Sequence, residues 1–479
     1  MKWLKDNKTY TDAPTDKGLG CALLLKSNYD LLASQCLNKS YKVVSNTFIF
    51  DVISKIKSDT REAMSFASSH DVLLAKQRDN VTCLLDQRPV YPNGRLLVKV
   101  HKPTIGARLL ASGTKWLTNP HSLVIAKFLQ PIVAAEDTVA KDTQDVLDAI
   151  ESCPFSSSSK ITTFDVEQLY PSMEPTRVAG AVKMLLLAHF TSHPVPRYGA
   201  LIEVLLALLQ IVFNGQVLRM VSMETRQVQL FAQIVGITTG LSCAVQLANA
   251  FLLGMDRSFQ HTFQVSLLLY KRFVDDVLVI TRSKVHTPDM LQALNSFDPL
   301  INCTQDGLEA DDRVSFLDLD IDYSGGKLVY STFRKPLATY NYTPADSCHP
   351  GATLLGIVAT ESVRLLRTNS TCEKFNFQRN FFASKLKLRG YNLKDVRKIF
   401  HKYPWHRRKE IIKPKRAVAV KGIVALKLPF SHFAVDIRAS NIFRSYEHLI
   451  PSKVRSSLRP LLVWETSPNL FRLRYSRFR

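Results

Sequence analysis

Arg272-Phe273-Val274-Asp275-Asp276-Val277-Leu278-Val279-Ile280 sets two adjacent acids between two apolar, β-branched runs. The flanks 265–274 and 277–281 read as two strands, so Asp275 and Asp276 fall at the tight turn of a hairpin. Two carboxylates buried there need a counter-charge. A divalent cation supplies one, and Mg²⁺ in particular takes one or two carboxylates plus substrate phosphates rather than a full protein cage. Asp-Asp is also ordinary turn chemistry, and on this dipeptide alone both readings stand.

A second acid shifts the balance. In Ile161-Thr162-Thr163-Phe164-Asp165-Val166-Glu167-Gln168-Leu169-Tyr170-Pro171-Ser172-Met173 a short β-rich run ends on Asp165, with a turn and then a helical pattern from about Thr176. Asp165 thus sits at the end of a strand, where a neighbouring strand can bring it beside Asp275. Two metals about 3.5–4 Å apart, held by acids of adjacent strands, activate a 3′-hydroxyl and stabilise a leaving pyrophosphate.

The order of segments resembles the reverse transcriptases of Penelope-like retroelements, whose palm is shared more distantly with telomerase. Pro14-Thr15-Asp16-Lys17-Gly18, Val98-Lys99-Val100-His101-Lys102-Pro103 and Arg108-Leu109-Leu110-Ala111-Ser112-Gly113 resemble the family's early segments. Phe164–Met173 is similar to motif A, Gly236–Asn249 to motif B and Phe273–Asp276 to motif C. Phe316-Leu317-Asp318 and Phe333-Arg334-Lys335-Pro336 follow in the family's order. Phe273 replaces a common Tyr, Val98 and Leu109 stand where Pro is usual, and motif B lacks the common Ser-Pro.

The resemblance implies an α+β right-hand polymerase: an N-terminal fingers-associated region at 1–83, fingers at 84–150, a palm with an antiparallel sheet at 151–345, an α-helical thumb at 346–403 and a basic region at 404–479. It implies an RNA-directed DNA polymerase in which Asp165, Asp275 and Asp276 hold two Mg²⁺ ions, Mn²⁺ being possible, with an RNA template, a DNA primer and dNTPs as partners. Tyr170 matches the residue that stacks under the incoming sugar and rejects a 2′-hydroxyl. Lys99, Lys102 and Arg108 can neutralise a triphosphate, and Lys335 can protonate pyrophosphate. Gln246 and Asn249, one helical turn apart, are placed to meet the incoming nucleotide and the template, with Phe273 beside them. Gly236 and Gly240 allow close backbone approach. The GIY-YIG endonuclease that many relatives carry has no matching tripeptides here.

Composition agrees. The 479 residues are 46% hydrophobic, enough for sizeable cores, and a formal charge of +22 calls for a polyanionic partner, nucleic acid ahead of a membrane surface. The stretch 201–213 carries Glu203 and is too short for a membrane span, so it reads as a core helix. Eight scattered cysteines without Cys-x-x-Cys read as buried thiols in a reducing compartment. The cluster holding Arg407, Arg408, Lys409, Lys413, Lys415 and Arg416 reads as a template-primer contact, a nuclear import signal or a solvated linker. With import, the protein is nuclear; otherwise it is cytoplasmic. A telomerase-like or template-independent nucleotidyltransferase, and a catalytically silent domesticated RNA-binding protein, remain as alternatives. Oligomeric state is not legible.

Overall fold

The computed structural model describes residues 9–100, 104–282, 285–306, 313–324, 327–347, 349–413, 423–429, 444 and 459–465. Lys102, Lys415, Arg416 and Cys348 lie outside them. In chain order the elements are β1 (Tyr10–Pro14), β2 (Cys21–Leu25), α1 (Lys26–Leu37), β3 (Tyr41–Val44), α2 (Asn46–Ser69), α3 (Ala75–Thr82), β4 (Asn93–Lys99) and β5 (Gly106–Ser112). Next come α4 (Asn119–Val133), α5 (Thr143–Ser152), β6 (Lys160–Glu167), α6 (Leu169–Ser172), α7 (Pro175–Ser192), α8 (Tyr198–Asn214), β7 (Val217–Val221), β8 (Val228–Gln233) and α9 (Ala244–Thr262). Then follow β9 (Leu267–Phe273), β10 (Asp276–Thr281), α10 (Thr287–Asn295), β11 (Asn302–Asp306), β12 (Val314–Phe316), β13 (Leu319–Ser324) and β14 (Lys327–Thr332). Last are α11 (Gly351–Arg367), α12 (Cys372–Leu388), α13 (Leu393–Phe400), α14 (Arg408–Ile411), β15 (Ile423–Pro429) and β16 (Arg459–Glu465).

The chain divides into two units, residues 1–328 with 333–339, and residues 329–332 with 340–479. In the first, β11, β6, β10 and β9 form an antiparallel sheet in that order. Alternation along its strands puts Phe164, Val166, Tyr270, Val277, Val279 and Cys303 on one face, where they join a core with α2, α4, α7, α8 and α9. Asp165, Phe273, Asp276 and Thr304 share the other face by register. The helix α8 is the expected core helix, with Glu203 on its exposed side. Among the described residues no helix is long and apolar enough to cross a membrane.

A second sheet, ordered β3-β8-β7-β4-β5, is antiparallel except for the parallel contact of β4 with β7. Leu96, Val98, Leu218, Met220 and Phe231 pack its inner face on α1. Within 84–150 the residues Lys99 and Arg108 fall on strands β4 and β5, while α4 and α5 occupy much of the remainder. Their sheet is completed by strands from both flanking regions. The second unit buries Leu365, Phe375, Phe382, Val396 and Phe400 among α11, α12 and α13. The parallel pair β15–β16 lies in a region the sequence left without assignment.

Three cysteines correct the reading of uniformly buried thiols: Cys21, Cys83 and Cys372 are exposed, while Cys243 and Cys303 are buried. Burial pushes the Cys303 thiol up to about 12, and the nearby Asp165 carboxylate adds to the effect.

His121 joins α4 to α2. Thr60 gives its hydroxyl proton to the Ile56 carbonyl (2.6 Å), so its oxygen is left to accept from His121 Nε2 at 2.8 Å. Burial lowers the His121 pKa from 6.5 to about 4, slightly offset by the Leu117 carbonyl. The unfolded chain therefore takes up a proton that the folded chain refuses between those two values. Stability from this site is full above the unfolded pKa and is lost as pH falls toward the folded one, by roughly 3 kcal/mol at most. His121→Gln is expected to flatten the pH dependence of urea unfolding across this window. An unchanged slope would show that the imidazole is not held neutral.

Candidate active site

The hairpin β9–β10 turns through Val274 and Asp275, with Phe273 opposite Asp276. Val274 adopts φ 59°, a left-handed conformation that a β-branched residue enters only at a steric cost. Both turn carbonyls are held from outside. Val166 N–H donates to the Asp275 carbonyl at 3.0 Å, and Arg272 Nη1 donates to the Val274 carbonyl at 3.1 Å.

Register then decides which acids meet. Asp165 on β6 stands directly opposite Asp276 on β10, and Asp275 follows one residue earlier in the turn. Like charges opposite each other on one sheet face repel, and a divalent cation converts that repulsion into ligation. Asp165, Asp275 and Asp276 are thus the side chains that could hold such an ion. Among the described residues no three His, Cys, Asp or Glu side chains close around one point. The Asp165–Asp276 pair offers the one or two carboxylates that Mg²⁺ takes from a protein when phosphate and water complete its shell.

Tyr170 lies on α6, immediately after β6. Burial raises its pKa, Asp275 raises it further, and Arg108 acts in the opposite sense, so the phenol feels both the turn acid and the strand cation. The loop from Gly236 to Gly240 ties these parts together. Gly236, at φ +77°, is so close to α6 that a Cβ would fall 2.3 Å from the Pro171 carbonyl oxygen. The next residue, Ile237, donates its N–H to the Tyr170 carbonyl at 2.8 Å. At the loop's other end Gly240, at φ +119°, would place a Cβ 2.5 Å from the Ala111 carbonyl oxygen, and Ala111 N–H donates to Thr239. One loop thereby seats both Tyr170 and the strand bearing Arg108.

On that strand pair Arg108 is opposite Leu97, and Lys99 is opposite Gly106. Leu96 and Val98 fill the core face, so Arg95, Leu97 and Lys99 alternate onto the other face with Arg108. Arg219, opposite Asn93, joins them. Arg95 and Arg219 were not singled out from sequence, where each is an isolated cation; only strand register aligns them. Lys99 also lies near the Cys36 thiol, whose pKa burial raises and Lys99 lowers. Gln246 lies in the first turn of α9, and its buried Oε1 has no hydrogen-bond partner. Lys335 is exposed just after β14.

Two nucleic-acid assignments are corrected. Asn249 is buried, and its Oδ1 accepts from Arg272 Nη1 at 2.8 Å, because α9 turns this side chain inward. Arg408 donates to the Leu366 carbonyl and the Tyr330 hydroxyl, both at 2.7 Å, and lies over the Trp405 ring. It braces the second unit. Arg407 is exposed but forms a two-pronged pair with Glu410, while Lys409 and Lys413 are exposed.

Arg272 and Asp256 were missed. Both are fully buried, with Arg272 Nε and Nη2 on the two Asp256 oxygens at 2.8 and 2.7 Å. Tyr270 hydroxyl and Thr138 hydroxyl also donate to Asp256. Burial opposes the guanidinium charge, yet Asp256 outweighs it and the pKa is raised. The available clue was a charge inside an apolar strand, which demands a buried partner.

No family model matches the chain, and no curated protein matches its sequence. Solved structures do. Telomerase from Candida albicans, in complex with the TWJ fragment of telomeric RNA, superposes with a TM-score of 0.51 at 11% identity over 84% of this chain and 67% of that chain. Apo telomerase from Candida tropicalis gives 0.43 at 13% identity, over 84% and 66%. A form truncated from its C-terminal domain gives 0.42 at 13%, over 65% and 62%. The chain thus spans about two thirds or less of the length of these telomerases. It shares the mixed α/β fold of the Candida albicans protein.

Gly236→Ala is expected to cost about 1–3 kcal/mol from the backbone conformation alone, with the Pro171 clash added. Thermal denaturation measures this. A variant as stable as the parent would show that the loop does not seat on α6.

Proposed function

We propose that the chain is an RNA-directed DNA polymerase, a reverse transcriptase of the Penelope-like retroelement type, that extends a DNA 3′ end along an RNA template. The observation that carries this reading is the pairing of Asp165 with Asp276 beside the strained turn of Asp275, with Tyr170 in electrostatic reach of Asp275 and Arg108 in reach of Tyr170. Acids of adjacent strands, a ring beside them and a basic strand face are what nucleotidyl transfer requires of a protein. The likeness of fold to telomerase is compatible with the same reading.

Asp165, Asp275 and Asp276 would hold two Mg²⁺ ions. When bound, these supply Lewis-acid activation of the 3′-hydroxyl and charge neutralisation at the leaving pyrophosphate. Arg108, with Lys99 and the neighbouring Arg95 and Arg219, binds the triphosphate, Arg in bidentate fashion. Tyr170 excludes the 2′-hydroxyl, Gln246 offers its unused amide oxygen to the nucleotide, and Phe273 packs beside the primer end. Lys335 delivers a proton to pyrophosphate. Lys409 and Lys413 meet the nucleic-acid backbone and set a salt-dependent affinity. A basic protein with these partners acts where chromosomal 3′ ends are, in the nucleus.

Primer extension on poly(rA)/oligo(dT) with Mg²⁺ and dTTP tests the reading. Asp275→Asn is expected to reduce extension on the order of 10³-fold or more, as losing an essential electrostatic group does, while RNA–DNA affinity is retained. Undiminished extension by that variant removes the proposal.

Tyr170→Ala is expected to raise the rNTP/dNTP ratio of kcat/KM by roughly 10-fold or more. An equal ratio in a folded variant returns Tyr170 to core packing.

A further inference from the structure

The five N–H donors of the Arg272 guanidinium are all used, four on α9 and one on the β9–β10 turn. Nε and one Nη2 hydrogen bind Asp256 on α9, and Nη2 also reaches the Asn249 carbonyl at 3.3 Å. Nη1 divides between Asn249 Oδ1 at 2.8 Å and the Val274 carbonyl at 3.1 Å. The backbone of the same residue is clamped as well. Arg272 N–H donates to the Thr138 carbonyl, and Arg272 carbonyl accepts from Ala140, both at 2.8 Å.

The Val274 contact stands apart from the rest. A buried ion pair needs no bond to a turn carbonyl, and the turn in question contains a valine at φ 59°. Such a conformation persists only where its surroundings over-determine it. Val166 holds the Asp275 carbonyl from the β6 side and Arg272 holds the Val274 carbonyl from the α9 side, so the peptide carrying Asp275 is fixed at both ends.

We propose that Arg272 is a positioning residue for metal binding: anchored by Asp256 and Asn249, it holds the strained Val274 turn that keeps Asp275 in place beside the Asp276–Asp165 pair, where these acids would bind the ions. The inference rests on the polymerase reading above. It adds that the motif B helix, through Asp256 and Asn249, sets metal affinity without touching substrate. Lysine cannot replace the arginine, since a single ammonium cannot span the two Asp256 oxygens and also reach around to Val274.

The test uses the full chain and reads Mn²⁺ binding by electron paramagnetic resonance, independently of extension. Arg272→Lys is expected to weaken Mn²⁺ affinity about 10-fold or more, the usual effect of removing support behind a ligand. It should lower kcat with little change in the KM for dNTP. Val274→Gly removes the steric cost of the turn, so Arg272→Lys should lose less affinity in that background than alone. Tyr270→Phe is the control: it removes another Asp256 contact but leaves the turn brace, and should lower thermal stability without changing Mn²⁺ affinity. If Arg272→Lys fails to fold, Asn249→Ala keeps the ion pair while removing the anchor that holds Nη1 in line with the Val274 carbonyl, and must still lower Mn²⁺ affinity. Unchanged affinity in folded Arg272→Lys or Asn249→Ala overturns the proposal, as does an equal loss in Tyr270→Phe. Parent protein that binds Mn²⁺ in an Arg272-dependent way yet extends no primer overturns the polymerase reading alone. Mn²⁺ binding indifferent to Asp275→Asn overturns both.

Discussion

The pair between Arg272 and Asp256 is the contact on which the site depends. Two unit charges at zero exposure are expensive to bury, and the cost is offset only because every donor and both carboxylate oxygens are satisfied. Meeting that requirement brings together the helix α9, the strand β9 and the 138–140 segment. A hydrophobic substitute of equal volume could fill the space. It could not bond the Val274 carbonyl, and the turn would lose one of the two bonds that hold its carbonyls.

A second constraint works through absence of side chains. Gly236 and Gly240 let one loop lie directly against the backbone of α6 and of β5. The residues so placed, Tyr170 and Arg108, come from segments far apart in the chain, and the loop between the glycines is their common gauge. Sheet register supplies the remaining alignment. Alternation puts Phe164 and Val166 into the core, and with them turns Asp165 outward toward Asp276.

The local features were legible wherever periodicity and turn chemistry are strong. The β9–β10 hairpin, the helix α8 and the three helices α11–α13 all follow from apolar spacing, and the acids at 165, 275 and 276 stand out as charges beside β-branched runs. Arg408 and Asn249 were misread because polarity was taken as exposure, whereas each spends its hydrogen bonds inside the protein. Arg95 and Arg219 were passed over because a single cation says nothing until its strand neighbours are known.

By itself, the sequence determined the strands of the acidic hairpin and the most strongly periodic helices, where the acids lie relative to a turn, and that the chain is strongly basic. These properties are local or additive, so they can be read from neighbours in the chain. Tertiary structure decided that Asp276 rather than Asp275 faces Asp165 in the ladder, that Val274 is held in a strained conformation, and that Arg272 finds Asp256 rather than solvent. Each of those outcomes depends on register or on packing between segments distant in sequence. A one-residue slip would reverse every face of the sheet, and only the assembled core selects one register over the other.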